Sequence, residues 1–116
     1  MARMLEQAYV SYNKKYFDST LPKIPIRWSS KIGVDRSICA YGWYTGVQDD
    51  EPGYILISID LKRHWSVWRM TLLHEMCHVR LRRNEEEVSS TSEKHSKPWQ
   101  REMKRLARAG AFNDLW

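Results

Sequence analysis

The segment HEMCH, His74 to His78, holds the residues of this sequence best suited to chemistry at a metal ion. On a helix, two histidines four positions apart lie on one face, one turn apart, and their imidazoles can bind the same ion. Neutral imidazole is a good zinc ligand, and a zinc ion with an open coordination position activates a water molecule. Glu75 can reach that water as a general base. The spacing therefore predicts one Zn²⁺ per chain, bound by His74 and His78, with Glu75 as catalytic base.

A catalytic zinc site needs a third protein ligand. On the residues alone, His95 is the best candidate, because the polar segment before it is long enough to fold back. A carboxylate is the alternative, from Glu85, Glu86, Glu87, Glu93 or Glu102. The remaining histidine, His64, has no evident partner and is predicted to be structural.

The N-terminal half of the chain must supply the support for these residues. Residues 3–20 have apolar side chains at helical spacing and predict an amphipathic helix, which Pro22 and Pro25 end. Three runs rich in β-branched and aromatic residues then predict a small antiparallel sheet, with a hairpin turn at Gln48–Gly53. The predicted strands are Ile26–Ser29, Ile38–Thr45 and Tyr54–Ile59.

The C-terminal half predicts two more helices. Ser66 is a plausible N-cap for a helix over residues 67–82, which carries the HEMCH segment. A polar loop over residues 84–94 precedes a last helix, which begins near Ser96 and ends at the C-cap Gly110. The chain is therefore predicted to be one α+β domain over residues 1–116, with an N-terminal helix, a three-stranded antiparallel sheet, an active-site helix and a C-terminal helix.

Composition limits the setting in which this domain works. The sequence has no long apolar run for a membrane span and no secretory signal, and its two cysteines, Cys39 and Cys77, do not form a disulfide framework. We therefore expect an intracellular protein with no membrane partner, and both cysteines are predicted to be core residues.

The net charge of +5 and pI near 9.4 are compatible with an anionic partner, although net charge alone does not identify one. The last helix concentrates this charge on one face, formed by Arg101, Lys104, Arg105 and Arg108. This face is a candidate surface for nucleic acid, through salt-dependent phosphate contacts. The default alternative is a solvated helix face.

Five segments, spread over nearly the whole chain, match one family pattern. YNKKYFDSTLPKIPIRWS, CAYGWY and YILISIDL are similar to an opening helix and strands, TLLHEMCHVRL to an active-site helix, and HSKPWQREMKRL to a third-ligand segment. Together they resemble the SprT-like family of zinc metalloproteases, which includes the DNA–protein crosslink protease Spartan. One departure is Ser96, where the family usually has glycine.

The resemblance implies a minimal zincin-like metalloprotease domain in which His74, His78 and His95 bind zinc and Glu75 is the base. It implies an endopeptidase that acts on a protein or peptide substrate, with DNA-associated proteins as one substrate class. The alternative is a zinc-stabilised DNA- or protein-binding module with little or no proteolytic turnover.

Overall fold

The structure, a computed structural model, describes residues 2–33, 41–45, 53–83 and 97–113. In chain order its elements are α1 (Ala2–Tyr16), β1 (Ile26–Ser29), β2 (Gly42–Thr45), β3 (Tyr54–Ser58), a 3₁₀ turn (Ile59–Leu61), α2 (Trp65–Arg83) and α3 (Lys97–Arg108). The predicted α+β class and the three predicted helices are confirmed. Among the described residues, no helix combines the length and apolar character needed to cross a bilayer.

The three strands form a mixed sheet in the order β1-β3-β2, so the prediction of a purely antiparallel sheet is wrong. β2 pairs antiparallel with β3, with Gly42 opposite Ile57, whereas β1 pairs parallel with β3, with Ile26 opposite Ile55. β3 takes the central position, and its Ile55 and Ile57 are fully buried. The residues between β1 and β2 are too many for a tight hairpin, so nothing local forces those two strands to pair.

α1 ends earlier than predicted, because local hydrogen bonds reverse the chain before the prolines. Asp18 and Ser19 adopt positive φ values of 53° and 60°. The side chain of Asn13 then holds the returning chain: its amide donates to the Leu21 carbonyl and its oxygen accepts from the Leu21 N–H, each at 3.1 Å. This turn directs the chain from α1 into β1, and Phe17 fills the corner as a fully buried side chain.

α2 begins at Trp65, so Ser66 is not its N-cap and that prediction is wrong. The His64 carbonyl accepts the first helical hydrogen bond, from the Trp68 N–H at 3.0 Å. The His64 N–H donates to the Leu61 carbonyl of the 3₁₀ turn at 2.8 Å. The 3₁₀ turn therefore fixes the start of the helix by backbone contacts, in which His64 takes part through its N–H and its carbonyl.

α3 ends as the sequence predicts. Gly110 has a φ of 87°, which favours glycine, and its N–H donates to the Ala107 carbonyl at 3.1 Å. The next N–H, of Ala111, donates to the Leu106 carbonyl at 3.0 Å. These two bonds form a Schellman motif, and Leu106 and Ala111, at the two positions where an apolar contact usually accompanies it, are both buried.

The core is built from all three helices, from β1 and β3, and from Phe17 after α1. Its largest fully buried side chains include Leu5, Phe17, Ile26, Ile55, Ile57, Trp68, Leu72, Leu73, Met76 and Leu106. α2 contributes the most of them, so the HEMCH segment belongs to a helix anchored in the core. The predicted polar loop, Cys39 and most of the predicted hairpin turn lie outside the described residues.

Candidate metal centre

α2 places the two histidines of the HEMCH segment on one face, one turn apart. The ring centres of His74 and His78 are 5.3 Å apart, with the planes at 64°, and both side chains are partly exposed. Two imidazoles that share a tetrahedral zinc have ring centres roughly 5 Å apart, because each ligating nitrogen lies about 2.1 Å from the ion. The separation of the rings and the chemistry of the donors therefore both fit a shared zinc ion.

Glu75 is one of only two buried polar or charged residues found among the described part of the chain, with 6% of its surface exposed. Its Oε2 lies 4.0 Å from Nε2 of His74. A carboxylate at this separation can hydrogen-bond a water molecule that also lies beside the histidine. The arrangement therefore suits proton transfer to or from such a water.

β2 packs directly against Glu75 through Gly42, a contact that the sequence did not predict. A Cβ placed on Gly42 would lie 2.9 Å from Oε2 of Glu75 and 2.6 Å from Cγ2 of Thr71. Both distances are shorter than ordinary van der Waals contact, so only glycine lets β2 approach α2 this closely. The signal that could have revealed the contact is a glycine inside a strand that is otherwise rich in β-forming aromatic residues.

Trp99, in the first turn of α3, contacts both histidines. Its ring centre lies 4.7 Å from that of His74 and 5.5 Å from that of His78, where the planes are 22° apart. Its indole N–H donates to the His74 carbonyl at 3.4 Å. Sequence periodicity does not show which side chains a helix face will meet, so the sequence did not predict this contact of Trp99 with the two histidines.

An ion-pair cluster holds α3 against α2 near Phe17. Arg105 donates to Oε1 of Glu102 at 3.0 Å, and Nε of Arg80 lies 3.5 Å from the same oxygen. The guanidinium groups of Arg80 and Arg105 lie 5.8 Å and 5.4 Å from the centre of the Phe17 ring. α3, and with it Trp99, is therefore fixed by charge pairing as well as by its buried Leu106.

The ion-pair cluster includes one of the four basic residues predicted to form a surface on α3. Arg101, Lys104 and Arg108 are exposed, but Arg105 is only partly exposed and is paired with Glu102. The structure therefore leaves three of the four predicted cations facing solvent.

Cys77 lies between the histidines in sequence but on another face of α2, where it is fully buried. Its Sγ is 3.6 Å from Sδ of Met103. Burial raises the pKa of the thiol to about 12, and the charge of Glu102 adds to the rise while that of Arg105 opposes it. A neutral thiol in this setting is a poor ligand and a poor nucleophile, and the prediction of a core residue is confirmed.

The third ligand lies beyond the part of the chain that the structure describes. His95 and the alternatives Glu85, Glu86, Glu87 and Glu93 are all outside the described residues. Glu102 is described, and its carboxylate pairs with Arg105 and Arg80. Within the described ranges, no group of three histidine, cysteine or carboxylate side chains is arranged to hold a metal ion.

Comparison with known proteins gives one match. The model of the SprT-like family matches residues 5–114, which is nearly the whole chain. No curated protein and no solved structure matches significantly.

Proposed function

The chain belongs to the SprT-like family, which is associated with metalloprotease-like domains, and from this membership and the geometry around Glu75 we propose that it is a zinc-dependent endopeptidase. The observation that carries the proposal is the placement of a buried carboxylate between Gly42 of β2 and the His74 ring. A helix that used HEMCH only for packing would have no reason to bury Glu75 beside two partly exposed histidines.

His74, His78 and His95 are the proposed zinc ligands. Two features support the first pair: the ring separation of 5.3 Å and the shared helix face. His95 is only four residues before Trp99, and a chain spans at most about 3.5 Å per residue, so His95 is tethered within reach of a tryptophan that contacts both rings. Bound there, zinc would act as a Lewis acid on the scissile carbonyl and on a water molecule.

Glu75 is the proposed general base and then the proton donor. It accepts a proton as the water attacks the peptide carbonyl, and it returns that proton to the leaving amine. Its burial between β2 and α2 restricts the motion of the carboxylate, which favours a fixed distance to the reacting water.

An extended peptide is the proposed form of the substrate. β2 is an edge strand of the described sheet, and Gly42 in that strand lies against Glu75. A peptide bound in extended form along β2 would place a carbonyl near the carboxylate. Recognition of this kind would depend on the peptide backbone more than on a particular sequence.

The Glu75→Gln variant tests the mechanism. It keeps the size of the side chain but cannot accept the proton, so we expect it to retain zinc and to lose cleavage of labelled casein by a factor of about 10² or more. Glu6→Gln, the same change on the exposed face of α1, is the matched control and should cleave normally. Cleavage by Glu75→Gln at the wild-type rate would rule out the proposed role of this residue.

The second candidate is a zinc-stabilised binding module for DNA or a protein, with little turnover. The observation that favours it is the exposure of Arg101, Lys104 and Arg108 on one helix. Binding through these cations would weaken with salt and would survive Glu75→Gln. The two candidates are compatible if the cations bring the domain to DNA-associated protein substrates.

A further inference from the structure

Gly42 occupies a place in β2 where backbone conformation does not call for glycine. Among the described glycines, positive φ values occur at Gly33 and Gly110 and not at Gly42. Glycine inside a strand costs roughly 0.5–1 kcal/mol relative to alanine. The reason for a glycine at position 42 must therefore lie in the space around it.

That space is closed by two side chains of α2 that cannot easily move. A Cβ at position 42 would meet Thr71 Cγ2 at 2.6 Å and Glu75 Oε2 at 2.9 Å. Thr71 is held in its rotamer, because its hydroxyl donates to the Val67 carbonyl at 2.8 Å. Glu75 is 6% exposed and has little room to turn away.

We propose that Gly42 is a positioning residue for Glu75, because the missing side chain leaves the space in which the carboxylate is held between β2 and His74. This inference rests on the proposed role of Glu75 as general base. The inference adds that β2 helps to position the Glu75 carboxylate, because position 42 of that strand carries no side chain. A methyl group at position 42 displaces the carboxylate even where the zinc ligands are undisturbed.

The two contacts of Gly42 can be separated by mutation. Thr71→Ser removes Cγ2, the nearest atom to the added methyl group, and keeps the hydroxyl that bonds Val67. In the double variant Gly42→Ala/Thr71→Ser, helix and strand can return to their native spacing. The methyl group nevertheless still meets Glu75 Oε2 at the distance given above.

The first experiment measures cleavage of labelled casein by the zinc-loaded chain, together with zinc affinity. We expect Gly42→Ala to lower kcat by about 10²-fold, with KM and zinc affinity nearly unchanged, because a small displacement of a catalytic group has an effect of that size. Thr71→Ser alone should behave as wild type. The double variant should recover the wild-type melting temperature but not kcat.

The second experiment does not depend on activity. In the metal-free chain, Gly42→Ala should lower the melting temperature most in the wild-type background. The decrease should be smaller when Glu75→Ala is already present, and smallest when Thr71→Ser and Glu75→Ala are both present. Non-additive effects of this kind identify a direct contact between positions 42 and 75. If the wild type cleaves no peptide, the proposed function fails, but this series still tests the contact.

Two outcomes would overturn the inference. In the first, Gly42→Ala/Thr71→Ser regains wild-type kcat together with stability, so that Gly42 serves only helix–strand packing. In the second, the loss of melting temperature, or of folding altogether, is the same in every background, so that Glu75 has no part in it. If Gly42→Ala prevents folding only in chains that keep both Thr71 and Glu75, the inference is supported.

Discussion

Two polar clusters that include residues of α2 differ in the contacts that their neighbours make with them. Two described neighbours contact the site cluster (His74, Glu75 and His78) by shape: the Trp99 indole covers both rings, and β2 approaches Glu75 at a glycine. The ion-pair cluster, formed by Arg80, Glu102 and Arg105, is held by opposite charges at 3.0–3.5 Å around the Phe17 ring. Both clusters are contacted by α3: Trp99 packs on the site cluster, and Glu102, three positions later, belongs to the ion-pair cluster.

The difference indicates which perturbations each cluster should resist. Shape-based contacts are insensitive to ionic strength, whereas ion pairs that are partly exposed weaken as salt is added. Mutations that alter packing should therefore change the geometry of the site cluster. Mutations or salt that alter charge should change how the next turn of α3 packs against α2.

Among the variants that test the contacts around the two clusters, the largest effect is expected for Trp99→Ala. Loss of the indole removes a contact that restricts both imidazoles, and groups that orient metal ligands typically contribute 10–100-fold to metal affinity. We therefore expect zinc affinity, measured by competition with a chromophoric chelator, to fall by about 10-fold or more. Trp99→Phe should preserve most of it.

Trp65→Ala is the matched control, because Trp65 lies on the same helix as the histidines but at its exposed start. It should leave zinc affinity unchanged. If Trp65→Ala weakened zinc as much as Trp99→Ala, the idea that shape orients the histidines would be wrong.

The next effect concerns Cys77, which lies between the two clusters and is affected by charges from both. Because burial raises the pKa of its thiol from 9.0 to about 12, the thiol contributes stability that is fully present below pH 9 and is lost as pH rises toward 12. The unfolded chain ionises first in this window. From about pH 8 to about pH 10.5, the loss in unfolding free energy is about 2 kcal/mol.

Urea unfolding of the metal-free chain across this pH range measures the effect, with Cys39→Ser as background. Cys77→Ala in the same background should lack this part of the alkaline loss. Identical pH profiles for the two chains would show that the thiol ionises equally in the native and unfolded states.

A smaller effect is expected for Glu102→Gln. Glutamine keeps an acceptor oxygen but lacks the negative charge that attracts Arg80 and Arg105, and a partly exposed ion pair contributes about 0.5–1 kcal/mol. The variant should lose about that much unfolding free energy at low salt and less at high salt. A loss that did not depend on salt would contradict an electrostatic account of this cluster.

The smallest effect on the fold is expected at the exposed cations. Replacing Arg101, Lys104 and Arg108 together by alanine should change the unfolding free energy by no more than about 0.5 kcal/mol. If this face binds DNA, the slope of log binding constant against log salt concentration should fall by about 1 for each cation that no longer contacts a phosphate. Arg105→Ala should change the slope least, because its guanidinium is paired with Glu102. A slope unaffected by the triple change would exclude this face as the DNA-binding surface.

The sequence predicted best what depends on local signals. Helical spacing of His74 and His78 and the C-cap Gly110 both follow from neighbouring residues, and both are confirmed. The true start of α2 was missed, since Ser66 is a better cap by residue type than His64. There the backbone of the 3₁₀ turn outweighs side-chain preference.

What the sequence could not predict depends on contacts between distant segments. The parallel pairing of β1 with β3 is decided by which strand fills the core, not by turn chemistry. The approach of Gly42 to Glu75 joins residues 33 positions apart, and Trp99 reaches His74 from a separate helix. These contacts define the site as much as the HEMCH motif does, and they require the tertiary fold.

The measurement that tests the central claim most directly is the zinc content of the purified chain after dialysis against metal-free buffer. We predict one zinc per chain in the wild type and its loss in His78→Ala and in His95→Ala. His64→Ala, which changes the remaining histidine, should keep its zinc. A wild-type chain without zinc, or a His95→Ala chain that binds it as tightly as the wild type, would contradict the proposed three-histidine site.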